Sequence, residues 1–192
     1  MRIVGGKSRG LKLAGFDVKG IRPTTDRIRE ALFNILAHDA DLRSDAGPFP
    51  AGARVLDVFA GTGAMGLEAL SRGAAHVAFI ENGPEVLKLL DANIERSRAV
   101  AATEIVRRDA TTPGRARRAF DLVLMDPPYG QGLHATALRA LDEGGWLADS
   151  ALTIVETDRR DAFDLPAGFE QTGQRDYGRT RLAFLRRVQN PD

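Results

Sequence analysis

Residues 54–73 read Arg54-Val55-Leu56-Asp57-Val58-Phe59-Ala60-Gly61-Thr62-Gly63-Ala64-Met65-Gly66-Leu67-Glu68-Ala69-Leu70-Ser71-Arg72-Gly73. The first six residues are an apolar run carrying one carboxylate, the pattern of a buried strand. Gly61, Gly63 and Gly66 then satisfy G-x-G-x-x-G, and the helix-compatible stretch Leu67 to Arg72 stops at Gly73. Strand, glycine turn and helix in that order form a cradle where backbone approaches a ligand with no Cβ in the way. A second strand, His76-Val77-Ala78-Phe79-Ile80, ends in Glu81. That is about 20 residues after the first glycine, the spacing at which an acidic side chain reaches a ribose diol. The pair points to an adenosine-type cofactor. On its own it fits a nicotinamide dinucleotide equally well.

The tetrapeptide Asp126-Pro127-Pro128-Tyr129 narrows the choice. It follows the apolar run Phe120-Asp121-Leu122-Val123-Leu124-Met125, so it stands where a buried strand ends. Two prolines cannot continue a ladder, because each lacks an N–H and has a fixed φ, and the chain leaves the sheet with carbonyls free to accept. Asp126 and the Pro127 carbonyl are then two acceptors for one amino group. Tyr129 offers a face for a planar base, a stacking contact of about 1–3 kcal/mol. An isolated Asp-Pro-Pro-Tyr is more often a proline-rich turn after a core strand, and the upstream glycine turn is what favours the chemical reading.

Around these motifs the chain alternates strand and helix: strand 54–59, helix 64–72, strand 76–81, helix 84–97, strand 104–108, strand 120–125, helix 133–142 and strand 151–156. That order predicts an α/β fold with a mostly parallel, doubly wound sheet. Phe169 to Asp176 and Thr180 to Val188 flank Tyr177-Gly178-Arg179 with no helix between them, which predicts a terminal antiparallel hairpin. At the other end, residues 2–16 read as two short strands around a basic, mobile Gly/Ser/Lys/Arg turn. Ile28, Ala31, Leu32, Ile35 and Leu36 then fall on one helical face, with Thr24 or Thr25 as cap. The expected organisation is an N-terminal hairpin and helix over 1–37, a linker rich in Asp, Gly and Pro over 38–52, and a core over 53–192.

Bulk composition excludes several classes. At 192 residues and 43% hydrophobic content, one domain buries a sizeable core without staples. The absence of cysteine removes disulfides, thiolate metal sites and cysteine nucleophiles. His38, His76 and His134 have no metal-ligand spacing, so no metal is expected. No apolar run reaches the roughly 18–20 residues of a membrane span, and no signal peptide opens the chain, so a cytoplasmic protein is expected. The formal charge of +1 hides a polarity, since residues 1–29 carry +6 and the remainder −5. A basic end of this kind suits a polyanion, because Lys and Arg beside phosphates gain from counterion release. It is as often an ordinary solvated surface.

On Asp57-Val58-Phe59-Ala60-Gly61-Thr62-Gly63, Met125-Asp126-Pro127-Pro128-Tyr129 and the terminal hairpin, the chain resembles the class I S-adenosylmethionine-dependent methyltransferases, with their Rossmann-like seven-stranded sheet. The N-terminal Arg2-Ile3-Val4-Gly5-Gly6-Lys7-Ser8-Arg9-Gly10 and the segment Arg22-Pro23-Thr24-Thr25-Asp26-Arg27-Ile28-Arg29-Glu30-Ala31-Leu32-Phe33-Asn34-Ile35-Leu36 extend the likeness over nearly the whole chain. They resemble the RsmD family of 16S ribosomal RNA (guanine(966)-N(2))-methyltransferases. The resemblance implies S-adenosyl-L-methionine as cofactor and 16S rRNA, within the small ribosomal subunit or an assembly intermediate, as partner. It implies that Gly61, Thr62 and Gly63 line the methionine and ribose, Glu81 takes the ribose hydroxyls, and Asp109 with Ala110 meets the adenine. Lys7, Arg9, Arg22 and Thr24 would meet RNA, and Asp126, Pro127, Pro128 and Tyr129 would hold the reacting base. Asp57 either braces the glycine turn or faces the cofactor's amino group. The arginines at 107–118 read as a solvated connection before a second RNA patch, and a monomer is the default.

Three other functions compete. An adenine-N6 DNA methyltransferase also uses Asp-Pro-Pro-Tyr, but 192 residues leave only the basic N-terminus for target recognition. A nicotinamide-dependent dehydrogenase leaves Asp-Pro-Pro-Tyr idle. A non-catalytic RNA-binding assembly module is disfavoured by intact Gly61, Gly63, Glu81 and Asp126.

Overall fold

Seven strands pair into one sheet in the computed structural model, which describes residues 1–15, 26–44, 47–128, 130, 132–161 and 163–188. The strands are β1 (Arg54–Val58), β2 (His76–Glu81), β3 (Thr103–Arg107), β4 (Phe120–Met125), β5 (Leu147–Asp158), β6 (Phe169–Tyr177) and β7 (Thr180–Arg187). Their order is β3-β2-β1-β4-β5-β7-β6. The first five are parallel, while β7 runs antiparallel to both β5 and β6. The terminal hairpin therefore inserts β7 beside β5 and leaves β6 at the edge.

Helices α1 (Asp26–His38), α2 (Ala64–Ser71), α3 (Pro84–Arg96) and α4 (Leu133–Glu143) cover the two faces. One core joins Leu32, Phe33 and Leu36 of α1, Leu67 and Leu70 of α2, and Leu90 and Ile94 of α3 to Val55, Phe79, Leu124 and Ile154 of the sheet. The other joins Ala137, Leu138 and Leu141 of α4 to Leu56, Val58, Ile80, Met125 and Val155. Neighbours along a strand point to opposite faces, so continuous apolar strands such as β4 feed both cores. No described helix is long and apolar enough to cross a membrane.

The N-terminal segment departs from the expected pair of strands. It makes a single bridge, Arg2 to Lys12, held by Ile3 N–H to the Leu11 carbonyl at 2.9 Å and Gly10 N–H to the Ile3 carbonyl at 2.9 Å. Its turn is no free loop: Gly6–Ser8 form a 3-10 turn whose Ser8 N–H donates to Ser71 Oγ on α2 at 2.9 Å. Gly6 has φ +72, and a Cβ there would strike the Ser71 carbonyl. Residues 38–52 are likewise packed where described, with Leu42 and Phe49 buried. β5 begins at Leu147, earlier than expected, across a register shift between Phe120 and Leu122.

Candidate active site

The sheet reverses its strand order between β1 and β4, and open α/β sheets bind ligands beyond the carboxyl ends of the strands at such a point. Asp57 on β1 and Asp126 after β4 flank it. Asp57 is buried, and its Oδ2 accepts the Gly66 N–H at 2.8 Å. The N-cap of α2 is Gly63, which has no side chain to give, so a carboxylate from the adjoining strand satisfies one of the helix's orphan amides. Desolvation by burial holds the Asp57 carboxyl well above the ordinary range. The Gly66 bond opposes this, and the negative charges of Asp126 and Glu81 reinforce it.

The glycine turn is held by backbone conformation at its start and by close packing at Gly63. Phe59, a bulky residue, sits at φ 59, backbone strain of about 1–3 kcal/mol of the kind kept at ligand sites. Gly63 stands at φ 78, and a Cβ on it would collide with the Leu90 side chain. Glu81 then ties the turn to β2: its Oε2 accepts the Gly61 N–H at 2.9 Å, and its Oε1 accepts the N–H groups of Asn82 at 2.9 Å and Gly83 at 2.8 Å. A carboxylate offers about four acceptor positions, and with three taken by backbone N–H groups about one remains for a ribose hydroxyl. Beside it, Asn82 Nδ2 donates to Asp109 Oδ2 at 3.3 Å. Asp109 is held below its ordinary range by the Thr111 hydroxyl and then by the Thr111 N–H. Ala110 is buried behind it.

Asp57, Gly61, Thr62, Gly63, Glu81, Asp109 and Ala110 thus gather along one sheet edge, and Asp126 joins them at a small cavity that it shares with Asp57, Met65 and Glu156. Beyond Asp126, Pro127 and Pro128 open into a second cleft of about 210 Å³, also lined by His134, Glu156 and Thr157. Lys7 and Arg9 are exposed on the N-terminal turn. Tyr129, Arg22 and Thr24 lie outside the described residues. The arginines at 107–118 are partly engaged, Arg107 with Asp91 at 3.0 Å and Arg108 with the Pro113 carbonyl at 3.1 Å.

Three features of the site are not among the residues picked out in the sequence. Asn93, buried on α3, accepts the Ala14 N–H at 2.7 Å and donates to the Thr62 carbonyl at 2.9 Å, joining the N-terminal segment to the glycine turn. Glu68, fully buried on α2, accepts the Val4 N–H at 2.8 Å and pairs with Arg72 at 2.7 Å and with the buried Arg29 of α1 at 3.5 Å. Glu156 ends the apolar part of β5. A carboxylate closing an apolar strand was the signal that found Glu81, and it was present here too.

The donor set suits S-adenosylmethionine. A negative cluster of Asp57, Asp126 and Glu81 matches a ligand bearing an ammonium and a sulfonium, and the buried Asp57 carboxyl is the group a cation would relieve.

A family model described as Conserved hypothetical protein 95 matches residues 1–186. Ribosomal RNA small subunit methyltransferase D of Escherichia coli K12 is 40% identical over 158 residues, covering 82% of this chain and 75% of that one. Its Haemophilus influenzae namesake is 35% identical over 163 residues, covering 83% and 79%. The solved structure of the E. coli protein yhhF superposes with a TM-score of 0.81 at 36% identity, over 97% of each chain. With the switch-point carboxylates, the glycine turn and the Asp-Pro-Pro exit in place, the chain belongs to the ribosomal RNA small subunit methyltransferase D family, RsmD, of class I methyltransferases.

Proposed function

We propose that this chain transfers a methyl group from S-adenosylmethionine to the exocyclic N2 of a guanine in 16S ribosomal RNA. The observation that carries the reading is the placement of Asp126 at the end of β4, across the switch point from the glycine turn, at a cavity shared with Asp57. When bound, S-adenosylmethionine supplies a methyl carbon made electrophilic by its sulfonium. Asp57, Glu81 and Asp109, with the backbone of Gly61 to Gly63, are the groups that hold it.

The remaining work falls to the chain's own residues. A guanine amino nitrogen is a poor nucleophile, because its lone pair is delocalised into the ring. The Asp126 carboxylate and the Pro127 carbonyl each accept one amino hydrogen, which turns the lone pair out of conjugation and toward the incoming carbon. The carboxylate also offsets positive charge gathering on nitrogen, so orientation and preorganised electrostatics act together. Tyr129 stacks on a base that has left its helix. Residues 1–37 serve as the RNA-binding extension, with exposed Lys7 and Arg9 and the segment of Arg22 and Thr24 against phosphates, and residues 53–192 as the catalytic core. The protein acts as a monomer in the cytoplasm, on the small subunit or an assembly intermediate.

Transfer of labelled methyl to small-subunit RNA, compared with DNA, with the product nucleoside identified, tests this. N2-methylguanine in RNA is the expected product, and N6-methyladenine in DNA would replace the reading with the alternative enzyme.

A further inference from the structure

The cleft beyond the Asp-Pro-Pro segment has a wall that the amine-holding mechanism does not use. Two buried polar atoms on it lack hydrogen-bond partners, Nε2 of His134 and Oγ1 of Thr157, in residues only about 5% exposed. Buried polar groups are nearly always partnered, so two orphans on one wall mark a place where a ligand's polar edge arrives. The His134 ring is fixed in position, stacked on Phe163 with centroids 4.8 Å apart and an interplanar angle of 11°.

Glu156 stands between this wall and the reacting centre. It lines both the cleft and the cavity of Asp57 and Asp126. The β4–β5 register pairs Leu124 with Ile154 and Met125 with Val155, so the next residues, Asp126 and Glu156, are level at the ends of adjacent strands. Alternation along each strand puts both on the face of Leu124 and Ile154 and turns Thr157 to the other face, that of α4 and His134. The cleft that Glu156, Thr157 and His134 line therefore wraps around β5.

Purine edges differ in a way this wall distinguishes. Beside its N2 amino group guanine presents the N1–H donor and then the O6 acceptor, whereas beside its N6 amino group adenine presents the N1 lone pair and then a C–H. We propose that the Glu156 carboxylate accepts the N1–H of the target guanine, while the Thr157 hydroxyl and the Nε2–H tautomer of His134 donate to its O6. An Asp-Pro-Pro exit holds any amine; this wall selects guanine. Adenine would set its N1 lone pair against a carboxylate and leave both donors unpaired. The inference rests on the amine-methylation reading above.

The test uses small-subunit RNA carrying either guanine or 2-aminopurine at the position the wild-type protein methylates, with single-turnover methyl transfer as readout. 2-Aminopurine keeps the reacting amine and lacks both the N1–H and O6. Wild type should prefer guanine by at least about 10²-fold, as a site built to hydrogen-bond an edge rejects the analogue without it. Glu156→Gln should slow transfer to guanine about 10- to 100-fold and leave 2-aminopurine as good or better, because an amide NH₂ donates to its N1. Thr157→Val, near-isosteric, should lower the guanine rate alone and serves as the independent arm if Glu156→Gln fails to fold. Guanine-to-2-aminopurine ratios equal to wild type in the folded variants overturn the proposal. So does a wild type that treats both bases alike. Methylation of a ring or ribose atom, rather than the amine, overturns the underlying reading as well.

Discussion

Glu81 and Gly61 are joined directly, the carboxylate Oε2 of the first accepting the backbone N–H of the second at 2.9 Å, so one side chain bridges the end of β2 and the glycine turn after β1. Glu81 therefore shapes the turn as well as facing the ribose position. Glu81→Ala should weaken S-adenosylmethionine binding by about 1.5–3 kcal/mol and lower the melting temperature of the ligand-free protein. Calorimetric titration and thermal unfolding read the two effects separately. Unchanged cofactor affinity would remove the ribose assignment and leave only the brace.

Asp126→Ala leaves Pro127 and Pro128 in place and deletes the carboxylate beside the reacting nitrogen. Single-turnover methyl transfer should fall about 10²–10³-fold, the scale of losing one preorganised stabilising group, while cofactor and RNA still bind. A rate within about threefold of wild type, some 0.6 kcal/mol in barrier, would make Asp126 a strand terminator and sink the amine-orienting mechanism.

Asp57 gives the protein a pH signature. Its folded pKa lies well above the ordinary 3.8, chiefly through burial and further through Asp126 and Glu81. The folded state therefore binds this proton more tightly than the unfolded chain does. The contribution of Asp57 to stability is complete below pH 3.8 and is lost as pH climbs from there through the raised value. Asp57→Asn keeps an acceptor for the Gly66 N–H and removes the charge. Its melting temperature at neutral pH should exceed that of wild type, each ~1 kcal/mol appearing as about 2–4 °C in a chain this size. Parallel melting curves across pH for the two proteins would contradict the assignment.

Glu68 is the hub that seats the N-terminal segment, through the Val4 N–H, Arg72 and Arg29. Glu68→Ala takes one of two carboxylate partners from the fully buried Arg29 guanidinium and leaves Asp26 at 2.8 Å, so the loss approaches, from below, the roughly 3–5 kcal/mol of breaking a buried pair. Urea unfolding measures the loss, and hydrogen exchange at Val4 should rise with it. A loss under about 1 kcal/mol, the value of an exposed pair, would mean that the network is incidental.

Lys7 and Arg9 are exposed, on the turn that bonds Ser71 at the C-terminal end of α2, the opposite end from the glycine turn. Changing both to Glu should weaken RNA binding while leaving cofactor affinity and melting temperature unchanged. Each lost phosphate contact should flatten the salt dependence of RNA affinity by about 0.7–0.9 in log–log slope. An unaltered slope would return this turn to plain solvated surface.

What the sequence by itself determined is whatever local pattern controls. Continuous apolar runs specified the parallel strands, Gly61 and Gly63 the turn, and the two prolines after Asp126 the exit from the sheet, since these depend on residues adjacent in the chain. The cofactor edge was legible because Glu81 closes an apolar strand about 20 residues after the first glycine, while Asp109 was marked by the family resemblance. Only the tertiary structure decided which distant groups meet. Glu68 and Asn93 read as ordinary polar positions on helices, and nothing near them in sequence says that they bind Val4, Ala14 and the Thr62 carbonyl. The N-terminal pair of strands shrank to one bridge because α2 supplies, through Ser71 and Glu68, the hydrogen bonds that a second strand would have given. Glu156 gained its meaning in the same way: strand register, set by side chains packing across the whole sheet, places it level with Asp126 at the mouth of a cleft.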